Sequence, residues 1–252
     1  MATTQHGSCD KYNSLREGSN SMIYLTGDKH RGFSSVASFC NWMGTTKDDI
    51  LVILGDAVIN YAGDALDREV KEKLEQLPIT LLCVHGNHER RPYTIDTYKE
   101  VPFHGGVVYQ EPEFPSLLFA KDGEVYDFDG KKALILGGAY SVDKYYRLQR
   151  GMGWFADEQP SDEIKARVRQ VLSDIDCTVD YVFSHTCPER VIPKEKFLPH
   201  IDQSTVDRST EEWLGGIEDG LKYSRWYCGH WHTDKVVEKI RFMFNDFVEL
   251  GK

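Results

Sequence analysis

Potential ligands for a hard metal ion recur in five short blocks along the chain, each directly after a predicted strand. They offer carboxylate, amide and imidazole groups, and the glycines among them let backbone and an ion approach closely. A polar side chain at the carboxyl end of a strand projects into the crevice at that edge of a sheet. Strand ends brought side by side would therefore form the cradle of a two-metal hydrolase. The blocks are Gly27-Asp28-Lys29-His30, Gly55-Asp56, Gly86-Asn87-His88-Glu89, His185 and Gly229-His230-Trp231-His232.

The ligand types indicate which ions and which reaction to expect. Oxygen and imidazole donors without thiolates favour two divalent transition-metal ions, manganese first, with iron or zinc as alternatives, and disfavour a closed structural zinc site. Asp56 lies between the first and third blocks in chain order, so it is the best candidate to bridge the ions. Ions about 3.5 to 4 Å apart share a hydroxide that attacks phosphorus at neutral pH. His88, beside Asn87, would point into the same cleft and protonate the leaving oxygen.

Each of these residues also has an ordinary structural interpretation. His185 alone is more typical of a core or capping histidine, and Asp28 of a helix N-cap. Asp56 and Asn87 are common turn residues, and His88 would serve as a structural histidine behind a ligand. None of these interpretations explains why such residues recur at successive strand ends of one chain. The joint pattern therefore favours a functional site.

Apolar runs and helical periodicity predict the elements that position the blocks. Short, largely apolar runs lead into the blocks as buried strands, and amphipathic helices lie between them. Ser161 is the predicted N-cap of the third helix. The strands are predicted at Ile23 to Thr26, Ile50 to Leu54, Ile79 to Val84, Tyr181 to Ser184 and Arg225 to Cys228, and the helices at Phe33 to Met43, Asp64 to Gln76 and Ser161 to about Ile175.

The segment from 105 to 140 has a different texture, in which short alternating runs are separated by Pro and Asp-Gly turns. This pattern predicts antiparallel strands, and the chain end after residue 235 is similar. The fold class that we predict is α/β, a sandwich of two mixed β-sheets flanked by helices.

Composition bounds the functional classes. The chain has 252 residues, 40% of them hydrophobic, and a net charge of -10, which disfavours sequence-blind binding to long polyanions. Its six cysteines form no CxxC pair, which indicates reduced thiols and a cytoplasmic location. We expect no membrane association, because no apolar run approaches a membrane span. Residues 1 to 21 are polar and are predicted to form a flexible tail, followed by one domain over 22 to 252.

In order and spacing the five blocks resemble those of the calcineurin-like metallophosphoesterase superfamily, whose pattern is DxH, GD, GNH[ED], H and GHxH. The resemblance covers about residues 22 to 250 and implies a phosphodiesterase or phosphatase acting through a metal-bridging hydroxide. It implies that the first ion is held by Asp28, His30, Asp56 and His232, and the second by Asp56, Asn87, His185 and His230. His88 matches the catalytic histidine of the superfamily.

Departures from the pattern narrow the substrate. The Asp-Arg-Gly that follows GD in the protein serine/threonine phosphatases is replaced here, and Asn60 is the remaining candidate to accept a hydrogen bond from His88. The chain is more similar to single-domain prokaryotic and phage-borne phosphoesterases, so a small phosphate ester is expected. The residues predicted to bind it are cationic or aromatic and stand near the blocks: Arg31, Arg90, Tyr140, Lys144 and Arg147.

Two other functions stay open at this stage. A nuclease acting on short DNA or RNA would need only a local basic surface, although the net acidity argues against a long groove. A non-catalytic metal-binding scaffold would be expected to have lost ligands, whereas this chain retains the full set. The sequence does not define the oligomeric state.

Overall fold

The computed structural model describes residues 21–252, which form two β-sheets packed face to face with helices outside. The predicted tail, apart from Ser21, lies outside the described residues. The strands are β1 (Ile23–Thr26), β2 (Ile50–Ile53), β3 (Thr80–Cys83), β4 (Lys99–Phe103), β5 (Gly106–Gln110), β6 (Leu117–Ala120), β7 (Val125–Phe128), β8 (Lys131–Leu136), β9 (Tyr181–Ser184), β10 (Arg225–Cys228), β11 (Lys235–Val237), β12 (Ile240–Phe242) and β13 (Val248–Glu249). The α-helices are α1 (Ser34–Met43), α2 (Ala65–Glu75), α3 (Lys144–Arg150), α4 (Asp162–Asp174) and α5 (Ser209–Gly220).

Both sheets are mixed, as predicted, and each has a parallel centre. The seven-stranded sheet has the order β13-β1-β2-β3-β6-β5-β4, and the six-stranded sheet has the order β11-β12-β10-β9-β8-β7. Strands β1, β2, β3 and β6 are parallel, and so are β8, β9, β10 and β12. The carboxyl ends of the parallel strands in each sheet therefore lie along one edge, where such folds bind ligands.

Three apolar layers hold this arrangement. Buried side chains such as Leu25 and Phe183 fill the space between the sheets. On the outer face of the seven-stranded sheet, Leu81 packs in one cluster with Leu74 of α2. On the outer face of the other sheet, Leu214 of α5 belongs to the third cluster. Because the parallel strands are covered on both faces, they are continuously apolar, which explains the runs in the sequence.

The predicted strands and helices that carry the blocks are confirmed, with ends that differ by a residue or so. Ser161 caps α4 as predicted, since its hydroxyl accepts a hydrogen bond from the Ile164 amide at 3.3 Å. Three elements were not predicted: β4, α3 and α5. Helix α3 buries none of its side chains, so it has no apolar periodicity, and α5 contains Gly215 and Gly216, which lower helix propensity.

The antiparallel prediction for 105 to 140 is confirmed only within each pair of strands. Strands β5 and β6 are antiparallel, and so are β7 and β8. The segment is nevertheless divided between the two sheets, because β6 joins β3 and β8 joins β9 in parallel. Among residues 21–252, no helix is long and apolar enough to cross a membrane.

Candidate metal centre

The structure brings the prospective ligands of all five blocks together at the facing edges of the two sheets. Backbone contacts join the blocks directly: the Gly229 amide donates to the His185 carbonyl at 2.8 Å. The His230 amide donates to Asp28 Oδ1 at 2.8 Å, so a ligand of one sheet is fixed against a ligand of the other. The seven predicted metal-binding side chains therefore surround one small region.

A first group of ligand atoms comes from the blocks that follow β1 and β10. The Nε2 atoms of His30 and His232 lie 3.1 Å apart, and His232 Nε2 lies 3.3 Å from Asp28 Oδ2. The atoms that Asp28, His30 and His232 offer all lie within 4.8 Å of one another. His30 Nε2 is also 3.7 Å from Asp56 Oδ2. These four side chains can therefore contact a common cation.

A second group lies on the other side of Asp56. His185 Nε2 is 3.7 Å from Asp56 Oδ2 and 2.8 Å from Asn87 Oδ1. The His230 ring meets the His185 ring edge-on, with centroids 4.9 Å apart. Asp56 Oδ2 is thus equally distant from a histidine of each group, in the position that a bridging carboxylate needs.

The donor atoms themselves fit a pair of cations. His185 Nδ1 lies 2.9 Å from the Leu54 carbonyl, which only accepts, so Nδ1 carries the proton in the neutral ring. The Nε2 lone pair then faces the lone pairs of Asn87 Oδ1, and such a contact needs a cation between them or a second proton. Asp28 Oδ2 is buried and has no well-aligned hydrogen bond among residues 21–252, although His232 Nε2 lies 3.3 Å from it. A buried carboxylate oxygen without a well-aligned donor is a strong metal ligand.

Backbone conformation at the site is unusual for these residue types. Four prospective ligands have left-handed backbone, with φ of 44° at His30, 46° at Asp56, 66° at His230 and 45° at His232. Each such conformation costs about 1–3 kcal/mol and is retained where surrounding structure enforces it. Such outliers concentrate at functional sites, so their clustering here supports a site shaped for ligands.

The protonation of the buried groups suits metal binding. Burial, reinforced by the charge of His185, holds the pKa of His230 well below its ordinary value. Burial also lowers the pKa of His88, against the opposing effect of Asp56. The low pKa of His230 favours the neutral imidazole, the form in which a histidine binds metal, whereas at His88 the Asp56 carboxylate favours the protonated form against burial. Glu89 is fully buried, and burial together with the charge of Asp56 raises its pKa to about 8.

His88 lies beside the ligands, whereas Asn60 does not reach it. The His88 amide donates to Asp56 Oδ1 at 2.9 Å, and its Nε2 lies 3.9 Å from Asp56 Oδ2. The Asn60 amide is buried and exchanges hydrogen bonds with the Tyr98 hydroxyl at 2.9 and 3.1 Å. The hydrogen bond expected from His88 to Asn60 is therefore not formed. Both polar atoms of Asn60 bond to the Tyr98 hydroxyl instead.

The two arginines predicted to bind substrate form contacts within the protein and do not line the cavity beside the ligands. Arg31 donates from Nε to the Val58 carbonyl at 2.8 Å and forms an ion pair with Asp67. Arg90 donates from Nη2 to the Thr94 carbonyl at 3.3 Å. Both guanidinium groups thus have partners within the protein. The spacing of residues in the sequence does not reveal such partners.

The other predicted substrate residues lie around a cavity of about 360 Å³ next to the ligands. Tyr140 lines this cavity. Lys144 Nζ lies 4.2 Å from the centre of the Trp154 ring, and Arg147 Nε donates to Asp143 Oδ2 at 2.7 Å. Asp143 lines the cavity, so Arg147 stands immediately behind its wall.

Two supporting residues were not predicted in the roles that they have. The buried Ser141 hydroxyl accepts a hydrogen bond from Asn87 Nδ2 at 2.8 Å, which turns Asn87 Oδ1 toward His185. Trp231 donates from Nε1 to Thr186 Oγ1 at 3.1 Å and so fixes the segment between two histidine ligands. Ser141 directly follows Tyr140, one of the residues predicted to bind substrate, but only its position in space shows its role as an orienting group.

Comparison with known proteins decides the family. The sequence matches the family described as calcineurin-like phosphoesterase over residues 21–234. The chain belongs to the calcineurin-like phosphoesterase family. It is accordingly a metal-dependent phosphoester hydrolase, and the resemblance inferred from the five blocks is confirmed. A search of curated protein sequences found no match.

Solved structures show the fold of this phosphoesterase in other proteins. The protein TT1561 of Thermus thermophilus superposes with a TM-score of 0.51 at 11% identity, over 90% of this chain and 89% of the other. The phosphopantetheinyl hydrolase PptH from Mycobacterium tuberculosis superposes with a TM-score of 0.51 at 14% identity, over 90% and 89%. At these identities the likeness is one of fold, which confirms the predicted fold class.

Proposed function

We propose that the protein is a dinuclear-metal phosphoesterase that hydrolyses phosphodiesters, small phosphomonoesters or both. The observation that carries this proposal is the pair of ligand groups on either side of Asp56, whose Oδ2 is 3.7 Å from both His30 Nε2 and His185 Nε2. One ion would be held by Asp28, His30, Asp56 and His232, and the other by Asp56, Asn87, His185 and His230.

The donor set supports manganese, with iron or zinc as alternatives, because carboxylate, amide and imidazole groups are present without a thiolate. Cys228 is buried, and burial raises the pKa of its thiol well above the ordinary value, so it stays protonated. When bound, two such ions activate a water and withdraw charge from the phosphoryl group.

Around the metal ligands, the protein's own side chains have distinct tasks. His88 faces Asp56 and is placed to give a proton to the leaving oxygen. Ser141 orients the Asn87 amide, and the Leu54 carbonyl holds the proton on His185 Nδ1. The complete donor set, with a buried Asp28 oxygen that has no well-aligned hydrogen bond among the described residues, argues against a non-catalytic scaffold.

The test combines metal analysis with an activity screen. The full chain, reconstituted with Mn²⁺, is expected to hold about two ions and to cleave aryl phosphodiesters or small phosphomonoesters far faster than a phosphoserine protein. Asp56→Asn should abolish turnover and lower metal content, because it removes a ligand that both groups share. The exposed Asp246→Asn serves as control. One ion or none in the fully active protein, or equal efficiency on the phosphoprotein, contradicts the proposal.

Hydrolysis of short DNA or RNA is a second candidate, supported by the surface of α3. Tyr145 and Tyr146 are 69% and 55% exposed, and Arg150 lies over the Tyr146 ring at 5.5 Å. Exposed rings beside cations suit stacked bases and phosphates. Including a short oligonucleotide in the same screen tests this candidate, and loss of its cleavage in Tyr146→Ala, with aryl ester cleavage retained, would support it.

A further inference from the structure

The cavity beside the metal ligands has an apolar wall that no sequence motif marks. Asp56, Asn87, His88, His230 and His232 line one end of it. The wall follows β9, in the stretch 192–206. Its apolar members are Ile192, Phe197, Leu198, Ile201 and Val206.

This wall is joined to the ligand block itself. The Phe197 ring lies 6.1 Å from the Trp231 ring, centre to centre, and Trp231 stands between His230 and His232 in the chain. Tyr140 also lines the cavity. A group attached to a phosphate held by the histidines would therefore enter an apolar space directly.

The acidic groups that line the cavity are already engaged with the protein. Asp207 accepts hydrogen bonds from the Ser209 amide at 2.9 Å and from Gln159 Nε2 at 3.0 Å. Glu211 is buried and accepts from Thr186 Oγ1 at 2.7 Å. Their charges are therefore committed to fixing the start of α5.

The two cationic residues of the lining are Lys196 and Arg208, and Arg208 has partners within the protein. The Arg208 guanidinium lies 5.6 Å from the centre of the Phe197 ring, and Nη2 donates to Gln203 Oε1 at 3.4 Å. Lys196 is exposed, where a cation suits the anionic phosphate rather than the group attached to it. Two apolar residues of the same lining are solvent-exposed, Leu198 by 45% and Val142 by 37%. Exposed apolar side chains at the mouth of a catalytic cleft indicate that the occupant is apolar.

We propose that this cavity binds the organic group of the substrate, and that this group is uncharged and apolar or aromatic. The inference rests on the proposed phosphoesterase function, in which the phosphoryl group lies among the metal ligands. It names the substrate class: a phosphate ester carrying an alkyl or aryl group that fits about 360 Å³, in preference to one carrying a charged group.

Binding of alkylphosphonates tests this without relying on turnover. Methyl-, butyl- and hexylphosphonate are titrated calorimetrically into the full chain reconstituted with Mn²⁺, with 2-aminoethylphosphonate as the charged comparison. Each buried methylene should raise affinity about fourfold, so hexylphosphonate, with five more methylenes than methylphosphonate, should bind about a thousandfold more tightly if all five are buried and about sixteenfold if only two are. The heat-capacity change should become more negative with chain length.

Substitutions locate the effect on this wall. Leu198→Asp should remove most of the gain from methyl to hexyl, and Leu198→Met should keep it. Val236→Asp is the matched control, since Val236 is 54% exposed on β11 and does not line the cavity.

The outcomes separate this inference from the function on which it rests. If methylphosphonate binds but affinity does not rise with chain length, the cavity assignment is wrong and the metal centre is unaffected. The same holds if the rise in affinity persists in Leu198→Asp. Failure of every phosphonate to bind overturns the proposed function and this inference together.

Discussion

At the scale of single residues, the site depends on which atom of each side chain is left free for an ion. The Leu54 carbonyl accepts a hydrogen bond from His185 Nδ1, and the Ser141 hydroxyl accepts one from the Asn87 amide nitrogen. The remaining atoms, His185 Nε2 and Asn87 Oδ1, then face each other at 2.8 Å. Polar neighbours thus determine which atom of each side chain is free to bind an ion. Hydrogen-bond partners of metal ligands commonly have this effect.

His88 is expected to act as a proton donor rather than as a metal ligand. His88→Ala should therefore retain both ions and slow the cleavage of alkyl esters about 10²- to 10⁴-fold. A nitrophenyl ester should be affected much less, because its leaving group departs without a proton. Turnover of both substrates and metal content are the measurements.

His104→Ala is the control for replacing a histidine, because His104 is exposed in the turn between β4 and β5 and does not line the cavity. Loss of metal from His88→Ala would make His88 structural. Equal slowing of both esters with the ions retained would mean that His88 stabilises phosphoryl charge.

At the scale of elements, a glycine at a strand end allows two ligand loops to approach. Gly55 follows β2, has φ of 96°, and a Cβ there would lie 1.9 Å from His185 Nδ1. Gly86 follows β3, and a Cβ there would lie 2.1 Å from Asp56 Oδ1. The carboxyl ends of these strands hold ligands close to one another only because no side chain separates them.

A comparison of Gly55→Ala with Gly130→Ala distinguishes the cost of backbone strain from the cost of a steric clash at the site. Gly130 has φ of 81°, but a Cβ there meets nothing within 4 Å. Both changes should lower the free energy of unfolding by about 1–2 kcal/mol through the left-handed backbone. Gly55→Ala should cost clearly more and should also reduce metal content, because it displaces His185.

Denaturant unfolding and elemental analysis of the two variants measure these effects. Equal destabilisation with metal retained in both would show that the strand end tolerates a side chain, contrary to the geometry at His185.

At the scale of the whole molecule, folding brings two buried carboxylates together. Asp28 and Asp56 are 3% and 1% exposed, and their oxygens lie in one group with His185. Clustered buried charge is costly unless a cation compensates it. Bound metal should therefore stabilise the folded chain as well as activate it.

Removal of metal should lower the melting temperature. For a chain of this size, each ion present at about 100 times its Kd contributes about 2.7 kcal/mol, or a shift of roughly 5–10 °C, and two independent ions contribute about twice as much. Calorimetry of the Mn²⁺-loaded protein, before and after chelation and dialysis, measures it. The shift should shrink in His232→Ala, which removes an exposed ligand, and persist in His104→Ala. An unchanged melting temperature after complete removal would contradict the coupling.

The sequence alone was enough to predict the strands that precede the five blocks and the order of the blocks along the chain. Apolar runs predicted the parallel strands, and polar residues after them predicted the blocks, because both depend on neighbours a few residues apart. The order of the blocks also sufficed to indicate the family. Asp28 and His30 after β1 could be placed before any contact was known.

Only the tertiary structure decided which groups meet across the two sheets. It divided the strands of 105 to 140 between the sheets, gave Asn60 to Tyr98 instead of His88, and placed Leu198 beside the ligand cluster. These contacts join residues far apart in the chain, and each depends on competition among several possible partners. Local patterns do not contain that competition, so the sequence could propose the metal ligands but not the wall of the cavity.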